Sequence, residues 1–217
     1  MKYFLSVFSA LILSIPLFSQ EKELKPVSLE ADFFYGSILE HNPDIEHLIT
    51  GHPTGFVLSY NRKSYGFNEW ERRYNYPDWG FTVAYQSMHN EYLGDIVGAY
   101  GHINWYFLNR HFMLRVGQGI AYSGSPFDTQ SNFNNNAYGT QLLSTTLLKG
   151  NFVRENIWKG LGFHAGFTII HYSNANFKAS NNSTNTFALN AGVSYQLDYK
   201  EFPEYIKKED SLSRTHA

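Results

Sequence analysis

The sequence predicts an all-β fold, an eight-stranded antiparallel transmembrane β-barrel. Three observations lead there. Segments of about 9 to 11 residues, long enough to cross a bilayer when tilted, alternate apolar with small or polar side chains, which is the period of a strand. About eight such segments follow one another, separated by turn-forming residues. The chain is also poor in charge: of 217 residues 17% are charged and 18% aromatic, against about 25% charged in ordinary soluble domains.

The N-terminus is the first element. Lys2 precedes an apolar run from Tyr3 to Phe18, which gives way to Ser19, Gln20 and the charged Glu21, Lys22 and Glu23. This reads as a secretory signal over residues 1–20. A retained anchor is the alternative, but the run is short for a span and Pro16 sits near its end. No later stretch approaches ~18 consecutive apolar residues. The barrel is expected over residues 21–199, followed by a polar tail over 200–217 in the periplasm.

Within the barrel, alternation is weak around Leu29 to Ser37 and Phe56 to Tyr60, and clear at Trp79, Phe81, Val83 and Tyr85. Val97, Ala99, Ile103, Trp105 and Phe107 face away from Gly98, Tyr100, His102 and Asn104. Phe112, Leu114, Val116, Ile120 and Tyr122 face away from His111, Arg115, Gly117 and Gly119. Gln141 to Lys149 has strand composition without a clear face. Lys159 to Asn174 alternates most cleanly, with Leu161, Phe163, Ala165, Phe167 and Ile169 on one side. The last strand does likewise with Phe187, Leu189, Ala191, Val193, Tyr195 and Leu197.

Periodicity alone does not say which face is inside. A soluble lipocalin-like barrel hides the apolar face, whereas a membrane barrel shows it to lipid and turns the polar face inward. Gln86, His102, Arg115 and His164 on the small or polar face, aromatic residues near strand ends and the low charge all favour the membrane arrangement. With both termini periplasmic, Leu108 to His111 is a tight periplasmic turn. Glu40 to Pro53, Ser123 to Asn136 and Ala175 to Thr184 become outer loops. Lys63 to Pro77 is longer than a periplasmic connection should be.

Composition excludes several functions. A net charge of −2, from 17 Lys+Arg and 19 Asp+Glu, supplies no basic footprint for nucleic acid. The absence of Cys removes disulfides, thiol nucleophiles and Cys-based metal sites. His41, His47 and His52 share a loop with Asp44 and Glu46, but their spacing matches no defined ligand pattern, so neither a metal nor a cofactor is expected. Ser123-Gly124-Ser125 lacks the strand-to-helix context of a nucleophile elbow. His102 and His164 read as members of an interior polar network.

The chemistry lies at the end of the seventh strand. His171 and Ser173 share parity with Phe167 and Ile169, so both project from the lipid-facing side. Unpartnered polar groups there cost several kcal/mol, and the two are expected to satisfy each other. Side chains two apart on a strand point the same way, which lets a histidine take the proton of a serine nucleophile.

His171, Ser173, Asn174 and Ala175 form a His-x-Ser-Asn-Ala motif, followed by an Asn-rich loop and a closing strand. This stretch resembles the outer-membrane lipid A 3-O-deacylase family (PagL-type), some members of which are labelled acyloxyacyl hydrolases. The resemblance implies an esterase of the bacterial outer membrane acting on lipid A or lipopolysaccharide acyl chains. It makes His171 the base and Ser173 the nucleophile, on the barrel's outer surface near the outer leaflet. It also gives Asn174 a part in the oxyanion site, although its parity points inward and a loop cap is the plainer reading. The family's usual third member is a glutamate shortly after the motif, yet no acidic residue stands between His171 and Gln196. Asn185 lies at about that place with the parity of Phe187, and is the expected orienting residue; otherwise it is an ordinary polar residue at a strand start. A non-catalytic small barrel with a structural or adhesion role is the alternative function.

Overall fold

The computed structural model describes residues 26–197, 199–200 and 204–207. The expected signal segment and most of the expected tail lie outside the described residues. Eight antiparallel strands close into a barrel in sequence order: β1 (Val27–Leu39), β2 (Thr54–Arg62), β3 (Asp78–Ser87), β4 (Asp95–Phe107), β5 (Phe112–Ser123), β6 (Leu142–Trp158), β7 (Leu161–Ser173) and β8 (Thr184–Gln196). β1 pairs with β8 from Ser28↔Gln196 to Leu39↔Asn185, which leaves the sheet no free edge. Of the stretch Gln141 to Lys149, ambiguous in sequence, Leu142 to Lys149 forms the start of β6, with Leu143, Leu147 and Lys149 buried and Leu142 exposed.

The apolar face is outside. Phe56, Leu58, Phe81, Ile120 and Leu189 are all more than half exposed, so a bilayer and not water is the matching solvent. Near one end Arg62 lies over Trp79 and Lys159 over Trp158, pairings suited to a membrane interface. The β6–β7 connection at this end is the two-residue turn Lys159-Gly160. Both residues have positive φ, 47° and 89°, the geometry that matches strand twist in tight hairpins.

The interior has two storeys. Toward the turn end it is charged, with its central ions paired. The Arg115 guanidinium donates to Asn104 (2.7 Å), Ser59 (2.7 Å), Asn61 (2.9 Å) and Glu30 (2.8 Å). Lys149 donates to Asp32 at 2.7 Å, and His164 contacts the other oxygen of the same carboxylate at 2.6 Å. His102 joins Thr82 to Asn61. Buried charges are tolerable only when paired and hydrogen-bonded in this way.

Toward the loop end the interior holds a large apolar cluster beside buried Gln86, Thr145 and Thr186, which corrects the expectation of a polar inner face. Phe34, Ile38, Val57, Ile96, Leu147 and Ile170 are buried there, with Ile45, Leu48, Leu93 and Tyr138 from the long loops. The reason is that the loops fold over the mouth and need apolar anchors; a polar lumen offers none.

The long Lys63 to Pro77 connection also has a structural reason. It holds a short helix, α1 (Glu69–Arg73), whose buried Glu71 accepts from Gly66 N–H (2.8 Å) and Asn68 (2.7 Å). It forms a platform for residues 204–207. Ile206 N–H donates to Tyr65 O at 2.9 Å, Tyr76 OH donates to Ile206 O at 2.8 Å, and the Tyr205 ring stacks on Tyr65 at 4.9 Å.

Candidate active site

β7 carries its side chains alternately in and out, and Leu161, Phe163, His171 and Ser173 stand on the outward set. Register places the partners. Across the wall the Cα partners run Thr146 on β6, His171 on β7, Asn185 on β8 and Leu39 on β1. Cross-strand neighbours on one face have Cβ atoms about 5 Å apart. His171 Nδ1 therefore reaches Asn185 Oδ1, at 2.7 Å. An amide oxygen only accepts, so Nδ1 carries the proton, and in a neutral ring Nε2 then keeps its lone pair. Thr145 Oγ1 donates to the His171 carbonyl at 2.9 Å, fixing the backbone beneath the ring.

Ser173 and His171 do not satisfy each other, contrary to expectation. The Ser173 hydroxyl donates to Asn181 Oδ1 at 3.0 Å and accepts from Ala175 N–H at 3.1 Å. Positions two apart on a strand are separated by about 6.6 Å, whereas the loop brings Asn181 directly onto the hydroxyl. Asn181 Oδ1 also accepts from Asn174 N–H at 2.9 Å. Asn174 is buried, and its amide group donates to the carbonyls of Lys178 (2.6 Å) and Ser180 (3.2 Å) while accepting from Asn176 N–H. It holds the loop in shape from within.

That loop is braced by its neighbours. Asn182 N–H and Ser183 N–H donate to Asn136 and Ala137 carbonyls, Tyr138 and Thr184 share a hydroxyl hydrogen bond, and His41 Nε2 contacts Asn182 O at 3.0 Å. Gly139 is needed here because a Cβ would come within 2.6 Å of the Lys178 carbonyl. The other loop histidines go elsewhere, His47 to Asn134 O and His52 to Gly36 O.

Asn181 was not singled out in the sequence. The signal is the Asn-rich loop itself, but which asparagine meets Ser173 depends on how the loop closes. Also missed is an outward polar group beside the motif: Ser144 and Thr146, in the sixth strand whose face is ambiguous in sequence, and Gln118 on β5, which shares the parity of Val116 and Ile120.

A family model described as "Lipid A 3-O-deacylase (PagL)" matches residues 54–194, a span that holds His171, Ser173, Asn174, Asn181 and Asn185. Among solved structures, the outer membrane enzyme PagL is similar at 14% identity and a TM-score of 0.46, covering 75% of this chain and 97% of that one. Neisserial surface protein A (NspA) gives 12% and 0.38, with 78% and 96% covered. The Yersinia pestis outer membrane protein Ail gives 16% and 0.37, with 77% and 98% covered. No curated protein matches. Because the family model spans well over half of the chain, including the whole motif, the chain belongs to the lipid A 3-O-deacylase (PagL) family.

Proposed function

We propose that this protein is an outer-membrane esterase that hydrolyses an ester-linked acyl chain of lipid A on the lipid-facing surface of its barrel. Ser173 is the nucleophile, His171 the general base and Asn185 the group that orients the base. The observation that carries this reading is the 2.7 Å contact between His171 and Asn185 on the outward wall, two strand positions from a serine and inside the family match. On this reading Ser173 Oγ attacks the ester carbonyl carbon as its proton passes to His171 Nε2. The tetrahedral intermediate collapses with loss of the sugar hydroxyl, which takes that proton. Water, activated by the same nitrogen, then cleaves the acyl-enzyme.

Before attack, the Ser173 hydroxyl turns from Asn181 toward His171, a change between staggered χ1 wells. Catalytic hydrogen bonds commonly tighten only when substrate arrives. Asn181 and Asn174 supply the oxyanion side: the Asn181 amide nitrogen is bonded to the same carbon as the oxygen that Ser173 touches, and Asn174 organises the loop around it. Residues 1–20 act as the export signal and residues 200–217 as a periplasmic tail.

Mass spectrometry of lipid A from cells with and without the protein tests the reading. Loss of one ester-linked acyl chain is expected with the wild type and not with Ser173→Ala; identical spectra overturn it. A second reading, a non-catalytic barrel, is favoured by the Ser173 hydroxyl donating to Asn181 and by the amide at position 185. The same spectra decide between them.

A further inference from the structure

Beside the motif the outward wall carries three polar side chains to which the steps above give no role. Thr146 is the Cα partner of His171, and Ser144 the partner of Ser173. Gln118, on β5, is the partner of Thr146. Their side chains are linked: Thr146 Oγ1 donates to Gln118 Oε1 at 2.7 Å, and Gln118 Nε2 donates to Ser144 Oγ at 3.3 Å. The surrounding outward positions are apolar and exposed, with Ile120 and Leu142 on one side and Val116 and Leu148 on the other. Polar groups on a face turned to hydrocarbon are unfavourable unless something pairs with them. This trio pairs only in part with itself. Gln118 keeps a second amide hydrogen, and the hydroxyl oxygens of Ser144 and Thr146 keep lone pairs.

We propose that Gln118, Ser144 and Thr146 form a subsite for an amide, the one that an acylated glucosamine carries on the ring carbon next to the ester-bearing carbon. The subsite separates acylated glucosamines from the glycerolipids of the same membrane. The inference rests on the esterase reading and names the feature of the substrate that the site recognises. Geometry supports it: groups on bonded ring carbons lie within about 4 Å of each other by standard bond lengths, and directly opposed residues such as Ser144 and Ser173 have Cα atoms about 4.5–5.5 Å apart. An ester bound at Ser173 therefore sets its neighbouring amide over Ser144.

The chemistry fits as well. An amide brings one N–H donor and one carbonyl acceptor, and the trio offers both an acceptor oxygen and a free N–H. A glycerolipid brings two esters, which only accept, so a hydroxyl oxygen of the subsite stays unpaired when it binds. Sites built to hydrogen-bond a substrate group reject analogues that lack it. The trio is uncharged, so it reads this link and not the phosphates of the headgroup.

The test uses the full-length protein in detergent micelles with two probes: a glucosamine lipid acylated by an amide at position 2 and an ester at position 3, and its analogue with esters at both positions. Wild type is expected to cleave the position-3 ester of the first with a kcat/KM about tenfold or more above that of the second, the loss of one hydrogen bond in a dry site. Gln118→Leu and the pair Ser144→Ala with Thr146→Val should erase that preference, bringing the two rates together. These changes make the wall more apolar, and heat-modified gel mobility checks that the barrel is intact. Equal wild-type rates on the two probes, or variants that slow both alike, overturn the proposal. If wild type cleaves neither probe, the esterase reading fails; binding of both lipids to Ser173→Ala, followed by tryptophan fluorescence, then decides the subsite. Tighter binding of the amide lipid supports it and equal binding overturns it.

Discussion

Substituting Asn185 probes the base at the one contact where this chain departs from the acidic third member that its resemblance implies. Asn185→Ala removes a 2.7 Å hydrogen bond to His171 Nδ1. A neutral hydrogen bond is worth about 0.5–1.5 kcal/mol net, and each 1.4 kcal/mol is about tenfold in rate, so kcat falls about 2- to 12-fold without a change in pH profile. Asn185→Asp, the same shape with a charge, and Asn185→Glu act differently. A carboxylate accepting from Nδ1 makes a bond about twice as strong once the ring is protonated. It stabilises the imidazolium that forms during attack and raises the plateau rate about fivefold. The same charge favours the protonated ring in the resting enzyme, and the ring works as a base only when neutral. Activity is therefore lost at higher pH as the solution is acidified, and the acidic limb moves upward by roughly one unit. Fatty acid released from glucosamine-lipid micelles, followed across about pH 5 to 9, the range of histidine chemistry, reads both effects. An alanine variant with the wild-type kcat, together with carboxylate variants whose limb does not move, would refute the assignment of Asn185.

Three further outcomes are expected. Ser173→Ala and His171→Ala should each abolish acyl release while the barrel keeps its heat-modified gel shift, since members of one catalytic unit are not additive; release at the wild-type rate by either variant contradicts the mechanism. Lys149→Met strips the 2.7 Å partner from buried Asp32 and should cost about 3–5 kcal/mol, most of it recovered by adding Asp32→Asn, as read by urea unfolding in vesicles; additive losses in the double variant argue against the pair. Burial raises the pKa of Tyr205 above its ordinary 10.0, so the docked tail holds its proton more tightly than a free one. Docking is then undiminished below that value and weakens as pH rises from it toward the docked value; a tyrosinate difference titration against Tyr205→Phe that steps at or below 10.0 runs against it.

The strand count, the outward placement of His171 and Ser173, and the inward placement of Arg115, His102 and His164 were legible in the sequence alone. All follow from the two-residue period, a local property of extended backbone that needs no knowledge of partners. Where alternation was blurred, at Gln141 to Lys149, the outward Ser144 and Thr146 went unread. Tertiary structure decided everything that joins segments distant along the chain. Register set Asn185 opposite His171 and Gln118 opposite Thr146, because a slip of one residue turns every side chain to the other face. Loop closure chose Asn181, among several nearby asparagines, to meet Ser173. The apolar upper storey arose because Ile45, Leu48, Leu93 and Tyr138 come from loops whose fold over the mouth no strand periodicity records, and burying them there is more favourable than leaving them in water.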